Sequence, residues 1–173
     1  MQSDLKDLIR SIPDFPKQGI VFRDVTTLLK DGNGFRQAIG CLAREFRSAR
    51  VDKIVCIEAR GFVLGGALAY ELGCGVVVVR KPGKLPSETV SQTYELEYGT
   101  DKVEMHKDAL TARDRVLLVD DLLATGGTAR AAADLVERLG GLIVGCAFLI
   151  ELAGLKGRRL LDKYRVFSLI EYE

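Results

Sequence analysis

The sequence predicts an α/β fold with a mostly parallel central sheet flanked by helices. Short apolar runs alternate along the chain with segments of helical periodicity, which is the pattern of strand–helix–strand units. Some runs, such as Val116–Val119, contain no polar residue, and uninterrupted apolar runs indicate strands that are buried on both faces. Gly73 and the pair Gly140–Gly141 follow predicted helices, where glycine is the preferred C-cap residue.

The alternation assigns most of the chain to regular elements. The predicted strands are Lys53–Ile57, Gly75–Arg80, Arg115–Asp120, Leu142–Leu149 and Arg165–Leu169. The predicted helices are Asp4–Ile12, Phe35–Arg47, Gly61–Leu72, Thr128–Leu139 and Leu155–Lys163. Residues 13–30 contain prolines and exposed aromatics and predict a small N-terminal hood. Residues 81–106 begin basic and Gly/Pro-bearing and then alternate, which predicts a flexible loop and hairpin.

The composition narrows the class of protein. Hydrophobic residues make up 47% of the 173 residues, which excludes a disordered chain and predicts one domain over 1–173. Lys and Arg total 25 against 24 Asp and Glu, so a dedicated nucleic-acid binder is disfavoured. The apolar runs are too short to span a membrane and the N-terminus lacks a signal-peptide core, so we expect a cytoplasmic protein without a membrane partner.

The cysteines and the single histidine do not form the patterns expected of a metal site or of a hydrolase. The four cysteines are scattered and lack C-x-x-C spacing, at Cys41, Cys56, Cys74 and Cys146. We interpret them as small hydrophobic residues in a reducing compartment. His106, the single histidine, lies in a charged segment and is expected to be solvated. We therefore expect no metal held by a dedicated protein cage.

The segment 116–128, VLLVDDLLATGGT, carries the strongest functional signal. Its apolar run ends in Asp120 and Asp121, which we expect at the carboxyl end of a strand, where open α/β sheets bind ligands. A loop follows that consists of Ala124, Thr125, Gly126, Gly127 and Thr128. At a helix start its free amides and the helix dipole would bind a phosphate, although the spacing is neither Walker A nor dinucleotide-binding. Acids for sugar hydroxyls and amides for phosphate predict a receptor for a sugar 5-phosphate.

Cations follow two other predicted strands. Glu58 and Arg60 come after the first, and the planar guanidinium of Arg60 suits a pyrophosphate, unless it serves a structural Arg–Glu pair. The second strand runs into RKPGKLP, which adds Arg80, Lys81 and Lys84 beside a flexible turn. A lone basic loop is usually just solvated. At the carboxyl edge of a parallel sheet, however, these cations predict a diphosphate clamp.

In chain order, these motifs resemble the adenine phosphoribosyltransferase family within the type I phosphoribosyltransferases. The acid pair and its loop resemble the type I signature for 5-phosphoribosyl 1-diphosphate (PRPP). The resemblance extends nearly end to end through FP at 15–16, GIVFRD at 19–24, EARGF at 58–62, RKPGKLP at 80–86, YELEYG at 94–99, EL at 151–152 and FSL at 167–169. It implies the type I phosphoribosyltransferase fold. It also implies purine salvage, in which phosphoribosyl passes from PRPP to adenine with Mg²⁺ to give AMP and pyrophosphate.

The resemblance assigns the PRPP contacts. Asp120 and Asp121 would hold the ribose hydroxyls, and residues 124–128 would bind the 5-phosphate. Arg60 and Lys84 would hold the pyrophosphate and stabilise it as it leaves. Arg80 would reach the diphosphate of a neighbouring subunit, which implies a homodimer. Mg²⁺ would be held mainly by PRPP oxygens and water.

The resemblance also assigns the adenine contacts and the general base. Val21, Phe22 and Arg23 would lie along one face of adenine, with Leu152 on the other face. Glu97, with Tyr98 beside it, would lie on a closing loop and take the N9 proton, which requires a pKa raised by desolvation. The transition state would resemble an oxocarbenium ion. Without the resemblance, two alternatives stay open: Val21 and Phe22 as ordinary core residues, and Glu97 as an exposed strand carboxylate.

Two alternatives for the function also stay open. The purine could be hypoxanthine, guanine or xanthine, because ring stacking tolerates any purine and only the resemblance favours adenine. The chain could instead be a PRPP-sensing regulator that keeps the pocket but binds DNA or RNA. Its nearly balanced charge and the lack of an appended basic module disfavour that second alternative.

Overall fold

The computed structural model describes residues 2–96 and 99–173 of the chain. Its helices are α1 (Gln2–Asp7), α2 (Thr26–Leu29), α3 (Gly32–Phe46), α4 (Arg60–Leu72) and α5 (Gly127–Arg138), with short 3₁₀ helices at Arg47–Ala49, Ala153–Leu155 and Gly157–Leu161. Its strands are β1 (Arg10–Pro13), β2 (Val21–Asp24), β3 (Lys53–Ile57), β4 (Gly75–Val79), β5 (Thr89–Glu95), β6 (Thr100–His106), β7 (Arg115–Leu123), β8 (Leu142–Leu152) and β9 (Val166–Tyr172).

The predicted α/β architecture is confirmed. Five strands form one sheet in the order β4-β3-β7-β8-β9, and every neighbouring pair is parallel. Strand β7, at the centre, owes its place to the apolar run Val116–Val119, whose four side chains are fully buried. An uninterrupted apolar strand satisfies both faces of a covered parallel sheet, which explains the central position.

Two hydrophobic cores cover the two faces of the sheet. Alternate residues of β7 enter different cores, since Leu117 and Val119 pack with helices α3 and α4 while Leu118 packs with α5. The second core also receives Val103 and Met105 from strand β6. Among the helices of the described residues, none is both long and apolar enough to cross a membrane.

Strand β7 runs past the predicted end at Asp120. Its pairing with β3 stops at Val119, opposite Cys56, whereas its pairing with the longer strand β8 continues to Leu123, opposite Glu151. The acid pair therefore lies inside the strand, at the point where the β3 side becomes free. The expectation that the strand ends at Asp120 is wrong, because β8 provides hydrogen-bond partners beyond it.

The N-terminal prediction of a helix over Asp4–Ile12 is wrong. Helix α1 ends at Asp7, and β1 pairs antiparallel with β2. The Arg10 guanidinium lies 2.5 Å from Asp24 across this pair, and the hydroxyl and amide of Thr26 also donate to Asp24. Bonds from Thr26 and Arg10 lower the pKa of Asp24 to about 2. This buried carboxylate network holds residues 10–13 extended, and the hood function of the segment stays a prediction.

The predicted helix over Leu155–Lys163 is also wrong. Two 3₁₀ helices replace it, separated by Lys156, which has a left-handed backbone with φ +57°. Gly157 then passes so close to the loop after β7 that a β-carbon on it would lie 2.2 Å from the Ala124 carbonyl oxygen. We attribute the absence of a regular α-helix in this segment to its close contact with that loop.

Residues 81–106, for which the sequence predicts a flexible loop and hairpin, include strands β5 and β6, which pair antiparallel from Thr89–His106 to Glu95–Thr100. The base of this hairpin is fixed to helix α5, because the Arg138 guanidinium donates to the Ser91 carbonyl oxygen at 2.8 Å. His106 is partly buried and its Nε2 accepts a hydrogen bond from the Ser87 amide at 3.4 Å. Glu97 and Tyr98 lie outside the described residues.

The cysteines are all free thiols, as the sequence indicates. Cys56 and Cys146 are buried in the two cores, and burial raises the pKa of each thiol to about 12. Cys41 and Cys74 are partly buried. A thiol with a pKa this high is not ionised at neutral pH, so Cys56 and Cys146 serve packing and not nucleophilic chemistry.

Two adjacent glycines of helix α4 provide a matched stability test. A β-carbon on Gly65 would lie 2.6 Å from the Cys56 β-carbon, whereas a β-carbon on Gly66 would have nothing within 4 Å. We predict that Gly65→Ala lowers the free energy of unfolding by about 2 kcal/mol through overpacking. Gly66→Ala should raise it by about 0.5 kcal/mol through helix propensity. Urea denaturation measures both, and equal effects of the two substitutions would contradict the tight α4–β3 contact.

Candidate active site

The carboxyl ends of the parallel strands place the predicted site residues in a fixed order across one edge of the sheet. Going along the strand order, these residues are Arg80 and Lys84 after β4, Glu58 and Arg60 after β3, Asp120 and Asp121 in β7, and Leu152 at the end of β8. Tyr172, which the sequence did not predict, lies at the end of β9. Cations thus lie at one end of the edge, acids in the centre, and an apolar and an aromatic residue at the other end.

The acid pair is confined by its neighbours. Asp121 is 5% exposed, and its amide donates to Oδ1 of Asp120 at 2.9 Å. A β-carbon on Gly61 would lie 2.7 Å from the same Asp120 oxygen, so only glycine leaves room for this carboxylate. Burial raises the pKa of Asp120 well above its ordinary value, and the neighbouring Asp121 carboxylate raises it further.

Arg60 connects the acid pair to the N-terminal strands. Its Nε lies 2.8 Å from Oδ2 of Asp121, and its guanidinium carbon lies 5.6 Å from the centre of the Phe22 ring. The ion pair does not have hydrogen-bond geometry, so this Asp121 oxygen is buried without a hydrogen-bond partner among the described residues. A buried acceptor of this kind is available to a ligand hydroxyl or a water.

The loop 124–128 forms the start of helix α5, as predicted. Gly126 is the N-cap residue, with a positive φ of +86°, and no side chain caps the helix. A β-carbon on Gly126 would lie 2.4 Å from the Gly157 carbonyl oxygen, so glycine is required on both counts. A cavity of ≈ 80 Å³ is lined by Asp120 and residues 122–129. Uncapped amides facing a small cavity suit an anionic oxygen cluster.

The basic loop is paired internally with Glu58. Lys84 Nζ lies 2.9 Å from Oε2 of Glu58, and two nitrogens of Arg80 each lie 3.3 Å from the same oxygen. The Lys81 amide donates to the other carboxylate oxygen. Burial alone would raise the pKa of Glu58, but these donors together hold it below its ordinary value. Glu58 therefore pairs with Arg80, whereas Arg60 pairs with Asp121, so the alternative of an Arg60–Glu58 pair is wrong.

The third cation of the loop points to the hairpin. Lys81 Nζ donates to the Tyr94 hydroxyl at 2.8 Å and pairs with the carboxylate of Asp101. The Tyr94 ring also lies 3.2 Å from where a β-carbon on Gly127 would be, beside the phosphate loop. Sequence analysis missed this cluster, because the β5–β6 register that joins Tyr94 to Asp101 depends on a turn that periodicity does not define.

The hood residues lie near the other end of the edge. Val21 is 44% exposed, and the Phe22 ring meets the Phe15 ring edge-on at 5.3 Å. The Arg23 guanidinium lies 4.0 Å from the centre of the Tyr172 ring and donates to the Ser11 hydroxyl. These contacts leave Val21 accessible and hold Arg23 against the last strand of the sheet.

Leu152 follows a buried glutamate whose ion pair the sequence analysis did not identify. The preceding residue, Glu151, is 4% exposed and accepts two bonds from Arg158, at 3.0 and 2.5 Å. The Ser168 hydroxyl donates to it at 2.6 Å. In the sheet register, Leu152 lies opposite Tyr172. Neither Arg158 nor Tyr172 carries a local sequence signal, because each meets its partner only after strands β8 and β9 pair.

The structure therefore brings together most of the predicted site residues. The acid pair, the loop 124–128 and Arg60 meet at one point of the sheet edge. Arg80 and Lys84 are neighbours of Glu58. Glu97 lies outside the described residues, so its position relative to this site stays a prediction.

Comparisons with known proteins agree with this architecture. A family model described as a phosphoribosyl transferase domain matches residues 24–173. The adenine phosphoribosyltransferase of Chlorobium phaeovibrioides is 61% identical over 173 residues, with 98% of each chain covered. That of Solibacter usitatus is 59% identical over 170 residues, with 98% of each chain covered.

The solved structures to which this chain is similar include adenine phosphoribosyltransferases as well. The crystal structure of adenine phosphoribosyltransferase from Thermoanaerobacter pseudethanolicus has a TM-score of 0.97 at 54% identity, covering 99% of this chain and 100% of that one. The Saccharomyces cerevisiae enzyme, complexed with an imino-altritol bisphosphate and adenine, has a TM-score of 0.93 at 41% identity, with 97% of each chain covered. The chain therefore belongs to the adenine phosphoribosyltransferase family of type I phosphoribosyltransferases.

Proposed function

We propose that this protein transfers the 5-phosphoribosyl group of PRPP to adenine, forming AMP and pyrophosphate in purine salvage. The observation that carries the proposal is the order of groups along the sheet edge, from cations through acids to an apolar wall. That order matches the diphosphate, ribose and purine of the reacting pair. In that arrangement the leaving group and the attacking base would lie on opposite sides of the ribose.

The centre of the edge would hold the ribose 5-phosphate part of PRPP. Asp120 and Asp121 would accept hydrogen bonds from the 2- and 3-hydroxyls, for which the unpartnered oxygen of Asp121 is suited. The amides at the start of α5, from Ala124 to Thr128, would bind the 5-phosphate beside the ≈ 80 Å³ cavity. The two carboxylates would also favour the positive charge that develops on the ribose.

The cations would stabilise the leaving group. Arg60 and Lys84 would hold the pyrophosphate while the bond between C1 and its oxygen breaks. Arg60 is 40% exposed and Lys84 is 49% exposed at the side chain, so both are accessible to a ligand. Arg80 would contribute to the diphosphate of a neighbouring subunit, and this role forms part of a proposed homodimer.

Mg²⁺ would accompany PRPP, held mainly by PRPP oxygens and water. The fit of the site rests on Asp121, whose buried Oδ2 has no hydrogen-bond partner among the described residues. A carboxylate oxygen of this kind suits a water of a hydrated magnesium ion, because Mg²⁺ gives up its waters reluctantly. When bound, the ion supplies positive charge that neutralises the diphosphate.

Adenine would bind at the apolar end of the edge. Val21 and Phe22 would stack on one face of the ring with Arg23 alongside, and Leu152 would cover the other face. Glu97 would accept the N9 proton as the base attacks C1. Closure of the hairpin turn over the site would exclude water, which would otherwise capture the ribosyl cation.

Separate observations support adenine as the substrate, a cytoplasmic location and the absence of a nucleic-acid partner. The relatives named above are adenine phosphoribosyltransferases, and one was crystallised with adenine, which favours adenine over the other purines. The four free thiols suit the reducing cytoplasm. A net charge of +1 gives no electrostatic reason for a nucleic-acid partner.

The direct test incubates the purified protein with PRPP, Mg²⁺ and each of four bases: adenine, hypoxanthine, guanine and xanthine. We expect AMP and pyrophosphate in equal amounts with adenine, and little product with the other three. Efficient nucleotide formation from another base would change the assigned substrate. PRPP binding with no nucleotide from any base, together with salt-sensitive binding to DNA or RNA, would support the regulator instead.

The raised pKa of Asp120 leads to a prediction about stability and activity together. Between the ordinary and the raised pKa the folded state binds more protons than the unfolded chain, so stability falls as the pH rises through that window. Asp120→Asn is neutral throughout and should raise the free energy of unfolding at pH 8 by about 1 kcal/mol. It should also lower kcat/KM for PRPP at least about 100-fold.

Asp121→Asn is the matched control for stability. It removes the Arg60 partner that lies 2.8 Å away, so it should lower activity without raising stability. Urea denaturation across the pH range and steady-state kinetics measure both quantities. A destabilised Asp120→Asn variant at pH 8 would contradict the account of the buried carboxyl.

Replacement of Glu97 tests the proposed general base. Glu97→Gln keeps the shape of the side chain but cannot accept the N9 proton, so kcat should fall about 100-fold while the Kd for PRPP stays within about twofold. Glu95→Gln, an exposed carboxylate at the end of β5, is the control and should leave both values unchanged. An unchanged kcat in Glu97→Gln would remove Glu97 from the mechanism.

A further inference from the structure

The end of strand β3 carries a carboxylate that the proposed chemistry does not use. The Glu58 side chain is only 8% exposed, although it lies at the edge of the sheet that faces ligands. One of its oxygens receives Lys84 at 2.9 Å and Arg80 at 3.3 Å, and the other receives the Lys81 amide. Its two cationic partners are both among the cations that the proposed function assigns to diphosphate.

Diphosphate and the Glu58 carboxylate compete for the same two cations, so binding one anion weakens the contacts of the other. Lys84 has its ammonium on Glu58, and the Nε and one terminal nitrogen of Arg80 point to the same Oε2. Charge-assisted bonds of this kind are roughly twice as strong as neutral ones, so exchanging them is energetically significant. When this subunit's diphosphate takes Lys84 and the diphosphate of a neighbouring subunit takes Arg80, Glu58 keeps the Lys81 amide alone. The buried carboxylate then loses partners in a site where unpaired charge is unfavourable.

We propose that Glu58 is an internal competitor of the diphosphate: in the free protein it occupies the cations that pyrophosphate and PRPP need, and ligand binding must displace it. The carboxylate thereby weakens diphosphate binding and speeds the release of pyrophosphate after transfer. This inference rests on the proposed function and adds to it a residue that adjusts affinity for the leaving group. Glu58 acts through Lys84 and Arg80, so it is a positioning residue.

The opposite role for Glu58 predicts the opposite sign. If the carboxylate served only to hold Lys84 and Arg80 in a productive arrangement, its removal would weaken pyrophosphate binding. If it competes, its removal tightens binding. Glu58→Gln distinguishes the two roles. Its amide oxygen can still accept the hydrogen bond from the Lys81 amide, while its negative charge is gone.

The test measures the Kd of magnesium pyrophosphate by titration calorimetry on the full chain. We expect Glu58→Gln to lower this Kd about 10-fold, and we expect pyrophosphate to become a correspondingly stronger inhibitor of AMP formation. The control is Glu88→Gln, which removes the same charge from a carboxylate that is 81% exposed and pairs with Lys107. Its Kd should match that of the unsubstituted protein.

A second variant keeps the test decisive if Glu58→Gln fails to fold. Glu58→Asp keeps the charge but draws the carboxylate back by one methylene from Lys84, so the Kd should fall by a smaller factor, about threefold. An unchanged or higher Kd in whichever variant folds would overturn the inference. Failure of the proposed function is recognised separately, since the unsubstituted protein would then form no AMP from PRPP and adenine.

Discussion

The placement of two adjacent acids in the central strand, of which Asp121 is buried, is the constraint on which the site depends. Asp120 and Asp121 lie where β7 loses its β3 neighbour but is still paired with β8. A side chain on residue 61 would collide with Asp120, and Asp121 has an arginine beside it. The first turn of α4, the length of β8 and the start of α5 therefore all surround or support the acid pair. Charge is retained there at a cost in stability, as expected of a site built to bind a polyhydroxylated ligand.

The free protein partners its binding charges with its own residues. Glu58 pairs with Arg80 and Lys84, and Asp121 pairs with Arg60. Each of these three cations therefore has an acidic partner before any ligand binds. This arrangement keeps unpaired charge out of a partly buried edge. On the proposed role of Glu58, PRPP would bind by exchange, with its diphosphate replacing a carboxylate. Affinity for the leaving group then depends on how strongly the internal anion holds its cations, which favours product release over tight retention.

The sequence predicted the parallel sheet and the helix start that follows the acid pair because both depend on local pattern. The apolar run before Asp120 defines a buried strand, and Gly126–Gly127 defines the helix start that follows. The predicted helix over Leu155–Lys163 failed because contact between Gly157 and the loop after β7 is set by tertiary packing. The partners of Arg23 and Glu151 were likewise beyond local pattern, since Tyr172 and Arg158 reach them only in the folded sheet.

A structure of the full chain with PRPP and Mg²⁺, in the absence of adenine, would test the central claim most directly. The account predicts both ribose hydroxyls within hydrogen-bond distance of Asp120 and Asp121, and the 5-phosphate on the amides of residues 125–128. It further predicts diphosphate oxygens on Arg60 and Lys84, with Lys84 released from Glu58. PRPP bound with its hydroxyls away from the acid pair, or with its 5-phosphate away from the start of α5, would contradict the account.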